Sequence, residues 1–332
     1  MKKHLIAAAV AAAVAVPAMA QNVTVYGTLE LGLEKNKTTV AGATTTTTME
    51  SAEFVSNRFG VRGEEDLGGG LKAHFRLESG ASTTDGTNGT AAAFFDRGAE
   101  IGLTGAFGRL AFGKLDHNGI ENNEISLHGN RGLGHSSVEA SGRASDLNDT
   151  ISYTTPAVMG LTVNVMATSK DNAAAAATTV GGGGEATTHD GVTSIQIAGT
   201  VGGVGLKLGA GTIKEDAGTE TKVRGFSAQY NFGSVNASLL YQSQDNPAGT
   251  ADRKYTALTA AVPLGAGLTA IFTYANLDVD ATSDGDRKIM IGTIKKDLSK
   301  RTALYAMYRT ENPGDAALVT ANTLGAYLST SF

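Results

Sequence analysis

The chain has 332 residues, a formal net charge of −5, 43 glycines, 5 prolines and no cysteine. The acidic balance argues against nucleic acid as a partner, and the lack of cysteine excludes disulfides and thiolate chemistry. Hydrophobic residues make up 41% of the chain. This near-even share of polar and apolar residues, together with the many glycines, favours many short strands with tight turns. Transmembrane barrels have such a composition because each strand shows one face to lipid and the other to water.

The first 20 residues have the pattern of a secretory signal peptide. Lys2 and Lys3 precede an apolar run from Leu5 to Val16, and Ala18–Ala20 supplies the small residues of a cleavage site. The alternative is a membrane-anchoring helix, but the run is shorter than the roughly 20 residues such a helix needs. We therefore predict a signal peptide at residues 1–20 and one barrel domain at residues 21–332, with a mature net charge of −7.

Two segments near the mature start alternate strictly between apolar and polar residues. They read "VTVYGTLELGLE" from Val23 and "GLKAHFRLES" from Gly70. In a strand, successive side chains point to opposite faces, so each segment has one apolar and one wet face. A strand buried on both faces could not carry this many charges.

Short turns and long polar connections alternate along the rest of the chain. The tight turns are "EEDLGGG", "GAFG", "TPAVMG", "GGVG", "NFGS", "PLGAG" and "DLSKR". The long connections are "KNKTTVAGATTTTTME", "GASTTDGTNGTAAA", the stretch 116–148, "SKDNAAAAATTVGGGGEATTHD" and shorter loops near Glu215, Asp245, Ser283 and Asn312. Seven turns and eight loops predict sixteen strands, an even number that lets the first and last strands pair and close a barrel. A water-soluble sandwich is the alternative, but it rarely has all its long loops on alternate connections.

Several segments resemble the general trimeric porins of Gram-negative outer membranes, in particular the β-proteobacterial group. They include "SNRFGVRGEEDLGGGLKAHFRLESG", "FFDRGAEIGLTGAFGRLAFGKL", "SYTTPAVMGLTV", "DLSKRTALYAMY" and the closing "AYLSTSF" with its terminal Phe332. The resemblance implies an all-β, sixteen-stranded antiparallel transmembrane barrel and a homotrimer in the outer membrane, in contact with lipid and lipopolysaccharide. It also implies a third outer loop, Asp116 to about Asn148, that folds inward and narrows the lumen.

Charged residues of that loop and of the wall are the candidate constriction. Alternation turns Phe59 and Val61 to lipid and therefore Arg58 and Arg62 to the lumen, and the same logic applies to the neighbouring strands. The predicted constriction residues are Arg58, Arg76, Lys114, Asp116, Glu121 and Glu124, and the other lumen-facing residues are Arg62, Lys72, His74 and Ser152. The resemblance places positions matching Arg58 and Lys114 at the narrowing. For Arg62 and Lys72, near a periplasmic turn, an ordinary solvated charge is the favoured alternative, and the direction of Arg97 stays open.

These features predict passive diffusion of ions and small hydrophilic solutes with weak selectivity. The family often has a basic residue where Ser152 stands, so a strong anion preference is doubtful, and the acidic loop and net charge favour a slight cation preference. The alternative is a solute-selective channel, although the chain has no Trp to line a sugar path. An enzyme would need a nucleophile beside an oriented base, and an adhesin would need larger outer domains. The loop histidines lack metal-ligand spacing, and no cofactor is predicted.

Overall fold

A computed structural model describes residues 23–40, 42–50, 54–87, 93–116, 146–169, 189–215, 219–246, 251–280, 286–313 and 320–332. The predicted signal peptide, Glu121, Glu124 and most of the third loop lie outside these residues. The described residues form seventeen strands: β1 Thr24–Val40, β2 Gly42–Glu50, β3 Arg58–Gly68, β4 Leu71–Gly80, β5 Gly98–Gly105, β6 Gly108–Asp116, β7 Asp146–Thr154, β8 Leu161–Thr168, β9 His189–Val201, β10 Val204–Glu215, β11 Glu220–Asn231, β12 Asn236–Asp245, β13 Asp252–Gly265, β14 Leu268–Asp280, β15 Arg287–Asp297, β16 Thr302–Pro313 and β17 Thr320–Ser331. Within the described ranges, no helix is long and apolar enough to cross a bilayer.

The strands form one closed antiparallel wall with sixteen positions, because β2 and β3 share one of them. The first residues of β1, Thr24 to Thr28, pair with β3. From Gly32 to Val40, the same edge of β1 pairs with β2. The predicted sixteen-stranded barrel is therefore confirmed, with one wall strand divided in two.

Pairing of β17 with β1 closes the ring. The ladder runs from Thr28 opposite Ser331 to Thr39 opposite Thr320. Beyond the Thr28 end of this ladder, Gly27 N–H donates to the Phe332 carbonyl over 3.2 Å, and Phe332 N–H donates to the Gly27 carbonyl over 3.1 Å. Terminal Phe332 thus supplies the last pair of the seam, which leaves no strand edge open to lipid there.

All seven predicted tight turns join successive strands on one side of the barrel. Between β9 and β10 the turn is Gly202-Gly203, with φ angles of 57° and 81°. Two successive positive φ angles match the right-handed twist of a two-residue hairpin, and glycine adopts them without steric cost.

The first outer connection differs from the prediction. Residues 35–50 were expected to form a loop, but β1 continues to Val40 and β2 starts at Gly42, so most of this stretch is a hairpin. The loop prediction was wrong because it relied on the low complexity of the sequence and not on the strand propensity of its residues. Repeated threonines are β-branched, and β-branched residues favour strands.

The two faces of the wall follow the predicted alternation over most of the barrel. Outward side chains such as Ile101, Leu208 and Leu258 are 66%, 48% and 54% exposed, whereas the inward Ser227 and Thr273 are buried. On β12–β17 the lumen face is mixed, because buried polar residues such as Gln242 and Thr293 lie on it beside apolar ones. Its buried apolar side chains form a cluster that comprises Phe54, Leu240, Tyr255, Ala257, Ala275, Leu277, Ile289, Ile291, Met307 and Tyr327.

The side chain of Asn57 bridges the gap between β2 and β3. At Glu30, neither β2 nor β3 pairs with this edge of β1. The Glu30 backbone N–H donates instead to Asn57 Oδ1 over 2.6 Å. Asn57 Nδ2 donates in turn to the Glu30 carbonyl over 2.8 Å. One side-chain amide therefore replaces the missing backbone pair. Phe54, three residues before Asn57, stacks on Tyr305, with ring centroids 4.4 Å apart.

Arginine at an outward position should destabilise the barrel far more than arginine at an inward one. Leu208 faces lipid near the middle of β10, so Leu208→Arg should cost roughly 2–4 kcal/mol of unfolding free energy. The matched control is Gln229→Arg on the lumen face of β11, where the new charge stays in water. Urea unfolding in lipid vesicles measures both, and equal losses would contradict the face assignment.

Asn57→Ala should leave the buried Glu30 N–H without its partner, which costs roughly 1–3 kcal/mol. Asn322→Ala is the control, because Asn322 accepts an exposed hydrogen bond from Tyr308, and it should cost roughly 0.5 kcal/mol or less. The same urea titration applies. A negligible loss in Asn57→Ala would mean that water replaces the amide.

Candidate pore constriction

Basic and acidic side chains alternate across the lumen face of four adjacent strands, β3 to β6. Glu78 on β4 lies opposite Gly60 on β3 and Gly98 on β5. A Cβ at Gly98 would come within 3.0 Å of the Arg76 guanidinium carbon, and one at Gly60 within 2.7 Å of the Tyr26 hydroxyl. Glycines on both sides of Glu78 thus leave room for larger side chains to reach its carboxylate.

Three arginines and a tyrosine meet at the Glu78 carboxylate. Tyr26 donates its hydroxyl to Oε2 over 2.8 Å, and Arg97 Nε lies 3.0 Å from Oε1. Arg58 and Arg76 lie 3.9 and 3.8 Å from Oε2. The Glu78 side chain is only 6% exposed, and the surrounding guanidinium groups offset the cost of burying its carboxylate.

Glu100 on β5 is the centre of a second group. Its carboxylate lies 3.0 Å from His74 Nε2 and 3.6 Å from Arg76 Nε, and it also pairs with Arg109 of β6. His74 lies across the strand pair from Gly102. A Cβ at Gly102 would come within 2.6 Å of the imidazole, so this glycine allows His74 to lie against the wall.

Arg76 joins the two groups into one network. Its guanidinium lies between Glu78 and Glu100 and is also 3.3 Å from Asp116 at the end of β6. We call this network the charged wall: Arg58, Arg76, Glu78, Arg97, Glu100, Arg109 and Asp116. Three carboxylates hold four guanidinium groups on the lumen side, a balance of one positive charge.

The structure brings only part of the predicted set together. Arg58, Arg76 and Asp116 belong to the charged wall, and His74 touches it through Glu100. The constriction role of these residues stays a prediction.

The other predicted residues lie apart from this network. The Arg62 guanidinium lies 5.0 Å from the centre of the Tyr26 ring, and Lys72 pairs with the exposed Glu64 over 2.6 Å. Ser152 is 4% exposed and accepts a hydrogen bond from Asn164. The roles of Arg62, Lys72 and Ser152 in the pore stay predictions.

The predicted inward direction of Lys114 is wrong. Lys114 is in register with Ala99, on the same face of the wall as the exposed Ile101 and Phe112. Its ammonium donates to Asn148 Oδ1 over 3.2 Å.

Sequence reasoning missed Glu78, Glu100 and Arg109 and left Arg97 open. Alternation alone could have found Glu78, because it lies two residues beyond Arg76 on the same face of β4. Arg97 stands just before β5 begins, where strand parity no longer fixes a side chain. Only the position of Glu78 on the adjacent strand determines its direction.

Within the described ranges, no cluster of three or more histidine, aspartate or glutamate side chains could hold a metal ion. The charged wall is instead a row of fixed, mutually paired charges along a water-facing surface. Such a row sets the local potential that a passing ion or dipolar solute meets.

A family model described as Gram-negative porin matches residues 7–315. The chain belongs to the Gram-negative porin family. The predicted family and outer-membrane location are therefore confirmed.

Curated relatives match either the whole chain or part of it. Outer membrane porin protein 32 of Delftia acidovorans is 29% identical over 340 residues, covering 98% of this porin and 94% of the relative. Major outer membrane protein P.IB of Neisseria meningitidis is 40% identical over 119 residues, 35% of this chain. The match spans 34% of the length of the P.IB proteins.

Solved structures confirm the fold. An anion-selective porin from Comamonas acidovorans superposes with a TM-score of 0.78 at 24% identity, covering 94% of this chain and 100% of that one. The trimer form of OmpT from Vibrio cholerae gives a TM-score of 0.67 at 14% identity, with 94% and 100% covered.

Removing the charge of Glu78 should shift ion preference toward anions. Glu78→Gln leaves the arginines of the charged wall with one fewer counter-charge, and its near-isosteric amide keeps the hydrogen bond to Tyr26 available. The expected result is a more anion-favouring reversal potential in a KCl gradient. Glu64→Gln, an exposed carboxylate at the short-turn end, is the control and should shift it little. An unchanged potential in Glu78→Gln would place the charged wall outside the ion path.

Proposed function

We propose that this porin is a weakly selective channel for passive diffusion of ions and small hydrophilic solutes. The supporting observation is the near balance of the charged wall, where four arginines face three carboxylates. A lumen whose fixed charges almost cancel orients water and dipolar solutes without strongly rejecting ions of either sign.

The sign of the residual preference depends on the third loop. Glu121 and Glu124 would add two negative charges to the net positive wall, which brings the sum close to zero. This sum supports the small cation preference expected from the sequence. The preference stays small, because the wall charges that the sequence reasoning did not count cancel: Arg97 and Arg109 add two positive charges, and Glu78 and Glu100 add two negative ones.

An anion-preferring channel is the second candidate. The row of guanidinium groups on β3 to β6 favours it, since arginine binds carboxylate and phosphate oxygens in a planar, bidentate fashion. The Comamonas acidovorans protein of the same fold is itself called anion-selective. A reversal potential separates the two candidates.

We propose three further properties that complete this function. Residues 1–20 act as a cleaved signal peptide, and the loop between Asp116 and Asn148 folds inward as the family resemblance implies. The mature barrel assembles as a homotrimer surrounded by outer-membrane lipid and lipopolysaccharide. A trimer would present three equivalent pores in parallel.

Single-channel recording in planar bilayers tests the channel proposal. Wild type should insert in units of three equal conductance steps, and conductance should rise in proportion to salt because a diffusion pore has no saturable site. Conductance that saturates with one solute would instead support the solute-selective channel.

Two variants of opposite charge test the constriction. Arg58→Ala should move the reversal potential toward cations, and Glu124→Ala should move it toward anions. Wild type should lie between them and close to zero. A strongly anion-favouring wild type would overturn the cation preference and select the second candidate.

A further inference from the structure

Basic side chains stand on the outward face of β10 to β15, close to the long-loop end of the wall. Lys214, Lys222, Lys254 and Lys288 lie on β10, β11, β13 and β15 and are exposed. We call these four the lysine belt. They share the strand parity of lipid-facing Leu208, Phe226, Leu258 and Met290, so they point away from the lumen.

The lysine belt lies at one height in the wall. Each of its members is about ten residues from the short-turn end of its strand, close to the 9–11 residues of a membrane-crossing strand. Lys254 is in register with Ser243 of β12, which is in register with Arg224 of β11. On β14, Lys254 lies opposite Asp278 and Lys288 lies opposite Asn276, so Lys288 is two residues nearer the short turns. Tilted strands need such a stagger to keep a constant height.

The surface between the belt and the short turns is apolar. Leu208, Phe226, Leu258, Met290 and Ile294 are each about 39–54% exposed there. Ten residues of a strand tilted by roughly 40° rise about 25 Å, the height of the apolar band of an outer-membrane barrel. The belt therefore lies where hydrocarbon gives way to the headgroups of the outer leaflet.

Acidic side chains share this boundary and determine which test is informative. Lys222 lies 3.9 Å from Glu220, and Lys254 is in register with Asp278. Lys288 instead has neutral Asn276 and Asn312 on its two sides. Carboxylates near phosphates could attract divalent cations, so direct pairing with lysine must be distinguished from a cation bridge.

We propose that the lysine belt binds the phosphate groups of phosphorylated lipids in the outer leaflet. The inference rests on the proposed lipid surroundings of the barrel and is independent of its ion preference. An exposed ammonium at the edge of hydrocarbon attracts anionic headgroups, whereas its four-carbon stem can lie on the apolar band below.

Lipid binding to the full-length porin in neutral detergent tests the proposal. The probes are diphosphoryl lipid A and the same lipid with its phosphates removed. In Lys254→Gln/Lys288→Gln the Kd for diphosphoryl lipid A should rise roughly 25-fold, about fivefold per lysine. The control Lys300→Gln/Arg301→Gln removes the same charge at the short-turn end and should change Kd less than twofold. The dephosphorylated lipid should bind all three proteins alike.

Three results would overturn the lysine belt as a phosphate site. These are equal losses in both double variants, an unchanged Kd in the belt variant, or binding that a chelator abolishes while the lysine substitutions leave it intact. Channel conductance in bilayers of neutral lipid is recorded for each variant. An unchanged conductance shows that the pore is intact, so failure of this proposal and failure of the proposed channel function are separable.

Discussion

Every backbone hydrogen bond in a lipid-facing wall must be made inside the protein, and the rest of this structure depends on that constraint. Lipid offers no partner for an exposed N–H or C=O, so the sheet must close. Closure occurs between the first and last strands, with Phe332 and Gly27 as the final pair. Where β2 and β3 interrupt the ring, the Asn57 amide takes the place of a strand. The same constraint thus explains why the backbone of Phe332 pairs in the seam and why Asn57 is buried in the wall.

Once the wall is closed, charge can be concentrated on its inner face only if it is compensated. Four guanidinium groups on neighbouring strands would repel one another, and burying the Glu78 or Glu100 carboxylate with no cation beside it would be costly. Interleaving the two signs solves both problems. Arg76 lies between two carboxylates, and each carboxylate is shared among several donors. Paired charges position one another, so the geometry of the wall and its electrostatic balance cannot be varied separately.

Sequence reasoning predicted what is local and periodic. Alternation identified the inward direction of Arg58 and Arg76, and turn residues such as Gly202 and Gly203 marked the strand ends correctly. Features that depend on neighbours distant in sequence were missed. Arg97 contacts Glu78 on the adjacent strand, 19 residues earlier in the chain, and the apolar cluster around Ile289 forms only when several strands are assembled. The threonine-rich hairpin was missed for the opposite reason, because its local propensity was ignored.

The period of two also separates the functions of the two faces. A slip of one residue in register would move Arg58 and its neighbours into lipid and Phe59 into water, so register is strongly specified. Within a fixed register, each inward residue can change without altering the lipid-facing residue beside it. Lumen charge and outer surface can therefore vary independently on one scaffold. This separation explains how a single strand such as β13 can present Lys254 at the lipid boundary while Tyr255, the next residue, packs inside the barrel.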